Sequence, residues 1–408
     1  MSYHIRTLGC GLRLAFMPED EKVTYMGFAV RAGTRNENIA SYGMAHLVEH
    51  MLFKGTKSRS STHIIQRAEE VGAELNAYTT KEETFIYAAL PCDYWQRIFL
   101  LLADVVLNSR FPSEELIKEK TVIIDEINSY RDSPSELIYD EFENILFAGT
   151  PLGHSILGNE RSVKRISATM GRRFMDEYYR PSNMLFFIKG QVDEERLVEL
   201  AEQVFGCFPN ELPLISKPDV SQKPPVVKQI RTRRNTYQEH VLMGSSTFSM
   251  HSEKRIPLGL LLNILGGPGM NSRLNMALRE KKGWVYNVEA SYNAYSDAGM
   301  YSIYFASARE NVQKAMRSIE EEMLKLVEQQ LPERDLFAAK RQVKGQLLIA
   351  EDSRESVALN FAKSLLHYDR YDDMQTVLSR IDAITAEQIQ QIAAETLRPE
   401  LMTRLIYC

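Results

Sequence analysis

The sequence predicts an α+β protein built from two domains of one kind, each a mostly antiparallel sheet covered by helices. Three observations predict it. The chain has 408 residues, and roughly 100–200 residues per domain makes that two. Five of its 15 prolines, Pro209, Pro213, Pro218, Pro224 and Pro225, fall within seventeen residues of mid-chain, a composition that reads as an extended linker. The order of predicted elements then repeats on either side of it. Residues 1–208 form the first domain, 209–235 the linker and 236–408 the second domain.

The first half opens with strand-like segments at Leu12–Met17 and Thr24–Ala32, followed by helical patterns over Tyr42–Phe53 and Thr62–Val71. Ala73–Thr79 and Thr84–Leu90 alternate and carry aromatic and β-branched residues, so they read as paired strands around Lys81-Glu82-Glu83. Helical patterns follow at Asp93–Ser109, Ser113–Arg131 and Ser135–Phe147. A strand at Met184–Lys189 and a helix at Glu194–Phe205 close the half. The second half gives a strand at His240–Phe248, helices at Pro257–Leu265 and Ser272–Lys281, and a hairpin at Val288–Tyr295 and Met300–Ser307. Long helices and a strand at Leu401–Tyr407 follow. Asn76-Ala77-Tyr78 recurs as Asn293-Ala294-Tyr295, 217 positions on. At that offset the helix holding His46 to His50 falls on Asn263 to Gly267, so a duplicated domain keeps ionisable groups there in one copy only. The competing account is two unrelated α+β domains that share a tripeptide.

Composition excludes several classes. Hydrophobic residues make up 44% of the chain and charged residues 25%, ample for a core and unlike a disordered chain. A net charge of −5 gives no global basic field for nucleic acid. The densest basic run, Arg231-Thr-Arg-Arg234, reads as a solvated loop or strand end. No apolar stretch approaches the ~20 residues of a membrane span, and the N-terminus has no leader pattern. Cys10, Cys92, Cys207 and Cys408 are far apart with no CxxC, which suits free thiols in a reducing compartment. The expectation is a cytoplasmic protein with neither nucleic-acid nor membrane partners.

The sharpest local signal is His46-Leu47-Val48-Glu49-His50. On a helix, residues i, i+3 and i+4 share a face. Both imidazoles and the carboxylate therefore point one way, and two neutral imidazoles four apart can bind one Zn²⁺ with the carboxylate beside the open position. A site with three protein ligands needs another donor. Glu119 and Glu126, seven residues apart on one helix, share a face. One is a candidate third ligand and the other a partner that orients a histidine, while Val122, Ile123 and Ile124 pack that helix inward. An acidic stripe facing water is the bland alternative. His154, in a Gly/Pro loop, is expected to be exposed and is not counted as a ligand.

The segment Gly43-Met-Ala-His-Leu-Val-Glu-His-Met-Leu-Phe-Lys-Gly-Thr56 resembles the insulinase/pitrilysin-type metallopeptidases, and most of all their short-chain, mitochondrial processing peptidase-like group. Leu75-Asn-Ala-Tyr-Thr79 with Thr84, Gly266-Gly-Pro-Gly-Met270, Ser272-Arg-Leu274 and Arg279-Glu-Lys-Lys-Gly-Trp-Val-Tyr286 resemble further family segments in the same order. Pro268, Trp284 and Val285 are departures that touch loop motion and subsite preference. The resemblance implies a third ligand 76 residues after the second histidine, which is Glu126, and a supporting role for Glu119. It implies one zinc per chain, Glu49 as the acid–base group and Tyr286 stabilising the tetrahedral intermediate. It assigns Arg279 to substrate carbonyl groups, and Asn76 and Ala77 to a peptide added as a β-strand. It further implies a homodimer in which each active site combines the zinc residues of one subunit with Arg279 and Tyr286 of the other. The activity expected is a zinc endopeptidase or oligopeptidase for short or unfolded peptides. Two alternatives stand beside it. One is a non-catalytic or partner-dependent subunit of a heterodimeric processing peptidase; the other is a non-haem iron oxygenase, because two histidines and a carboxylate also make a facial triad.

Overall fold

The computed structural model describes residues 3–209, 227–234 and 236–408. Pro213, Pro218, Pro224 and Pro225 of the expected linker lie outside the described residues. Eleven strands are found among those described: β1 His4–Thr7, β2 Arg13–Pro18, β3 Val23–Val30, β4 Glu74–Thr79, β5 Thr84–Pro91, β6 Met184–Gly190, β7 Gln229–Thr232, β8 Glu239–Thr247, β9 Val285–Ala294, β10 Gly299–Ser307 and β11 Thr403–Tyr407. The helices of the first half are α1 Met44–Leu52, α2 Ser61–Glu69, α3 Trp95–Asn108, α4 Ser113–Arg131, α5 Pro134–Leu146, α6 Glu160–Arg165, α7 Ala168–Tyr178 and α8 Glu194–Phe205. Those of the second are α9 Arg255–Gly266, α10 Arg309–Glu328, α11 Glu333–Ala350, α12 Arg354–Tyr368, α13 Met374–Asp382 and α14 Ala386–Thr396.

The α+β fold holds, with two sheets. One runs β1-β2-β6-β3-β5-β4 and the other β7-β11-β8-β10-β9. Within each, one parallel pair, β2 with β6 and β7 with β11, adjoins antiparallel neighbours. The sheets share an order once β1 is set aside, with β4 and β9 as corresponding edge strands. β7 lies inside the segment read as linker; its four residues pair with β11, a strand too short to register as a pattern among arginines.

Two compact units divide the chain. One comprises the described residues of Met1–Ser129, His154–Ser216 and Ser353–Tyr371, the other those of Tyr130–Gly153, Lys217–Asp352 and Asp372–Cys408. Helix α5, from the first half of the sequence, therefore packs in the second unit, and α12, from the second half, in the first. The reason lies in the sheets, which are apolar on both faces. In the first unit Phe16, Phe28 and Ile86 face α1 and α3, while Ala15, Met17, Phe85 and Phe187 face Val357, Phe361 and Leu365 of α12. Alternation along each strand supplies both sets, and β6 is buried along its whole length. In the second unit Val241, Met243 and Ile303 face α9, α10 and α14. Leu242, Met300 and Tyr304 face Leu137, Ile138 and Phe142 of α5. No helix among the described residues is long and apolar enough to cross a membrane.

Candidate metal centre

Helix α1 lies over β4. Ala45, Leu47, Val48, Met51 and Leu52 bury its apolar stripe, and this orientation turns His46, Glu49 and His50 toward α4. Helix α4 buries Leu116, Glu119, Ile123 and Ile127, at helical spacings of three and four. Its inward packing rests on Ile123; Val122 is 48% exposed, against the expectation that it packs inward.

The two helices bring three donors together. Glu126 Oε2 lies 3.8 Å from His46 Nε2 and 3.9 Å from His50 Nε2. One ligand atom from each residue falls within 4.8 Å of the other two. A tetrahedral zinc with bonds of about 2.0–2.2 Å sets its ligand atoms roughly 3.4 Å apart, so the two Glu126 distances need to close by about half an ångström and the trio, within 4.8 Å, must draw together around an ion. Glu119 stands behind it. Its Oε2 is 3.0 Å from His50 Nδ1, and its Oε1 accepts from Lys54 Nζ at 2.8 Å. A carboxylate on Nδ1 fixes the tautomer that leaves Nε2 free as a donor to a metal. Burial alone would raise the Glu119 carboxyl, but the hydrogen bonds from Lys54 and His50 hold it below the usual carboxylate range.

At His46 the surroundings favour neutral imidazole. Burial, with His50 adjacent, pushes His46 down to about 3. Burial also raises the carboxyl of Glu126, partly offset by His50. Glu49 is raised by burial too, against the lowering influence of the Thr79 hydroxyl and His50. Its Oε2 is buried without a hydrogen-bond partner among the described residues. A buried carboxylate oxygen with no donor, one residue from a ligand, suits a group that exchanges a proton with something bound there.

The other site residues of the sequence reading fall in two places. Asn76 and Ala77 lie on β4, an edge strand, with Asn76 exposed and Ala77 packed toward the core. Arg279 and Tyr286 belong to the second unit. Arg279 sits in a π-helical turn, Asn275–Glu280, where the sequence reading placed an ordinary helix; Lys281 N donates to Met276 O, an i to i+5 bond. Such turns recur at functional sites. The Arg279 guanidinium lies 5.6 Å from the Tyr286 ring centre, and Tyr286 is 83% exposed.

One expectation fails outright. His154 is buried, not exposed: its ring stacks on Tyr42 at 3.7 Å, and its Nε2 lies 3.1 Å from the Thr34 carbonyl and 3.3 Å from Glu37 Oε2. Sequence reasoning also missed the burial of Lys81, Glu82 and Glu83 in the β4–β5 turn. Glu82 pairs with Arg35 at 2.6 Å, and Lys81 Nζ donates to the His154 carbonyl. Glu83 takes Lys363 at 2.7 Å and His367 at 2.8 Å, both from α12. The one available signal was three consecutive charges in a turn otherwise short of glycine.

Paired helices presenting His, His and Glu over an edge strand, in a two-unit α+β frame, define a candidate metal-site protein. The chain belongs to the insulinase, or M16, peptidase family. Residues 16–160 match the model described as insulinase (peptidase family M16), and 165–343 the one described as peptidase M16 inactive domain. An uncharacterized zinc protease of Mycobacterium tuberculosis strain H37Rv is 30% identical over 96% of this chain and 90% of its own length. YmxG of Bacillus subtilis, also called an uncharacterized zinc protease, is 28% identical over 93% and 92%. Among solved structures, a chain from Pseudomonas fluorescens described as a peptidase M16 inactive domain superposes with a TM-score of 0.91 at 18% identity. It covers all of this chain and 98% of its own. A protease from Helicobacter pylori gives 0.90 at 20%, covering all of this chain and 99% of its own. At these identities the structural likeness establishes the fold. Family and relatives' names support a zinc protease.

Proposed function

We propose that this chain is a zinc-dependent endopeptidase or oligopeptidase that hydrolyses short or unfolded peptides. The observation that carries the reading is the convergence of His46, His50 and Glu126 beside a buried Glu49 with an unpartnered oxygen. His46, His50 and Glu126 would hold one zinc per chain, with Glu119 fixing His50. Bound there, zinc supplies Lewis acidity toward a carbonyl and an activated water. Glu49 takes the proton of the attacking water on its carboxylate and delivers it to the leaving amine. A substrate strand laid along β4 would exchange main-chain hydrogen bonds with that edge, at Asn76 and Ala77, which favours extended peptides over folded proteins. Arg279 and Tyr286 supply a cation and a phenol donor suited to carbonyl oxygens and developing negative charge. The reading extends to a two-fold homodimer whose sites each join the zinc residues of one subunit to Arg279 and Tyr286 of the other.

Metal analysis with a quenched-peptide assay tests this. Zinc at one equivalent, activity lost to chelator and restored by zinc, and a Glu49→Gln chain that keeps its zinc but turns over at least ~10²-fold more slowly are expected. A zinc-free active protein, or full activity in Glu49→Gln, sinks it. Zinc bound with no cleavage of any unfolded peptide points instead to the partner-dependent subunit.

A further inference from the structure

Helix α1 carries His46, Glu49 and His50, yet it begins without a cap of its own. The first turn of any helix leaves backbone N–H groups unsatisfied, and a Ser, Thr, Asp or Asn at the N-cap normally takes one. Here the N-cap is Gly43, in the left-handed region at φ +90. A side chain there would be strained, and its Cβ would stand 2.6 Å from the Leu157 carbonyl oxygen.

The acceptors come from Glu37 instead. Its Oε2 accepts from Gly43 N at 2.8 Å and its Oε1 from Ala45 N at 2.7 Å; Met44 N–H is a third donor facing it. The side chain is fully buried. Burial raises this carboxyl to about 8 against the lowering pull of those backbone N–H groups, and its oxygens, protonated or not, accept from the positive end of the helix dipole. Glu37 is itself fixed from two sides. Its backbone N donates to Thr34 O at 3.0 Å, while Thr34 N and Arg35 N donate to the carbonyls of Thr80 and Lys81, so the segment is pinned to the β4–β5 turn. From the other side His154 Nε2 lies between Glu37 Oε2 and the Thr34 carbonyl, with the ring flat against Tyr42. Ala45 is followed directly by His46. The position of the first metal-site side chain therefore depends on a carboxyl side chain that never touches the site.

We propose that Glu37, held in place by His154, is a positioning residue for the metal centre: by capping α1 from outside the helix it sets where His46 and His50 stand against Glu126 of α4. The inference rests on the zinc-site reading above. A displacement of a fraction of an ångström at α1 would open ligand distances that already need to close slightly, and misplacement on the ångström scale costs up to ~10² in rate. His154 is sequestered in this role, which is the physical reason it is not a ligand.

The test is Glu37→Gln in the full chain. Glutamine retains one acceptor oxygen and turns an amide donor toward a backbone N–H, so one of the two caps is lost. Chelator competition is expected to show zinc bound about 10-fold more weakly, the scale of lost supporting partners. Turnover is expected to fall about 10-fold with KM within about twofold. The amides of Gly43 to Ala45 are expected to exchange faster with solvent. His154→Phe keeps the stack on Tyr42 but removes the donor, and should move all three readouts in the same direction by a smaller factor, about threefold. Unchanged zinc affinity and turnover in folded Glu37→Gln, even at a lower Tm, would show a merely structural cap and overturn the proposal. If Glu37→Gln does not fold, His154→Phe decides by the same measurements. A wild-type chain that binds no zinc fails earlier, at the functional reading itself.

Discussion

Helix α1 over β4 in one unit and α9 over β9 in the other are corresponding pieces of the two sheets, and they have been put to opposite uses. At α1 the inner face presents His46, Glu49 and His50. Counted 217 positions on, these fall at Asn263, Gly266 and Gly267. Each helix reaches a long neighbour through polar groups: α1 meets α4 through His50 and Glu119, while α9 meets α11 through Asn263 Nδ2 donating to Gln346 Oε1 at 2.9 Å. The scaffold is shared and the chemistry is not. Two amides satisfy each other and leave no anionic or imidazole donor for zinc. The glycines also close the space: a Cβ at Gly266 would stand 2.9 Å from Ala290, and one at Gly267 2.6 Å from the Asn263 carbonyl. A part-buried polar contact between helices is thus common to both units, and the His-His-Glu group of the proposed zinc site is present in one of them by the choice of side chain.

The largest effect separates the copies at their helix–helix contacts. Glu126→Ala is expected to remove zinc and activity together, because it deletes one of the three proposed protein ligands. Gln346→Ala, at the part-buried polar contact of the second unit, should leave zinc content at one equivalent and cost about 0.5–1.5 kcal/mol of stability for the lost hydrogen bond to Asn263. Metal analysis and thermal unfolding of both variants check this. Zinc retained by Glu126→Ala would mean that the trio has been wrongly composed.

A second experiment asks whether the metal copy works with the Arg279/Tyr286 copy of its own chain or of a partner. Chains carrying Glu49→Gln and chains carrying Tyr286→Phe, each nearly inactive, are mixed under conditions that exchange subunits. A shared site in a two-fold dimer predicts recovery to roughly a quarter of wild-type turnover at random mixing. No recovery, with mixed dimers demonstrated, refutes the shared site and places both groups in one chain.

The same contrast explains what the sequence made legible. The α1 part of the site was readable because helical spacing alone puts His46, Glu49 and His50 on one face. Choosing Glu126 over Glu119 took the family resemblance, and the geometry then placed Glu126 with the histidines and Glu119 behind His50. Most strands and long helices were readable from period and alternation; α4 and α8 run over the residues expected. What was not readable depends on partners far along the chain. Glu83 gains its meaning from Lys363 and His367, and His154 from Thr34 and Glu37. The amphipathic patterns of α5 and α12 show that each has an apolar face but not which sheet will cover it. The π-turn at Arg279 differs from an α-helix by one residue in its hydrogen bonds, below what side-chain periodicity resolves.

The exchanged helices carry the comparison to its smallest expected effect. In the second unit α5 is tied to its sheet by tyrosine hydroxyls on carboxylates, Tyr139 to Glu289 at 3.3 Å and Tyr295 to Glu143. In the first unit α12 is tied by a buried ionic group, with Lys363 and His367 on Glu83, and by Tyr87 donating to Glu355 at 2.7 Å. Although burial alone would raise the Glu83 carboxyl, His367 and Lys363 hold it down to about 2, against an ordinary value of 4.5. A carboxyl depressed on folding contributes stability that is fully present above about pH 4.5 and is lost as pH falls through about 2. Glu83→Gln removes that contribution and leaves His367 and the half-exposed Lys363 without their anionic acceptor, at a cost of about 1–3 kcal/mol near neutrality. The gap between wild type and variant should therefore be widest above pH 4.5 and narrow steadily toward pH 2, with amides of α12 losing protection before those of α5. Urea unfolding at pH 7, 4.5 and 3, with hydrogen exchange on both helices, measures it. A gap that stays constant across that range would mean that Glu83 holds α12 by packing and neutral hydrogen bonds, and that the two exchanged helices are anchored by the same kind of force.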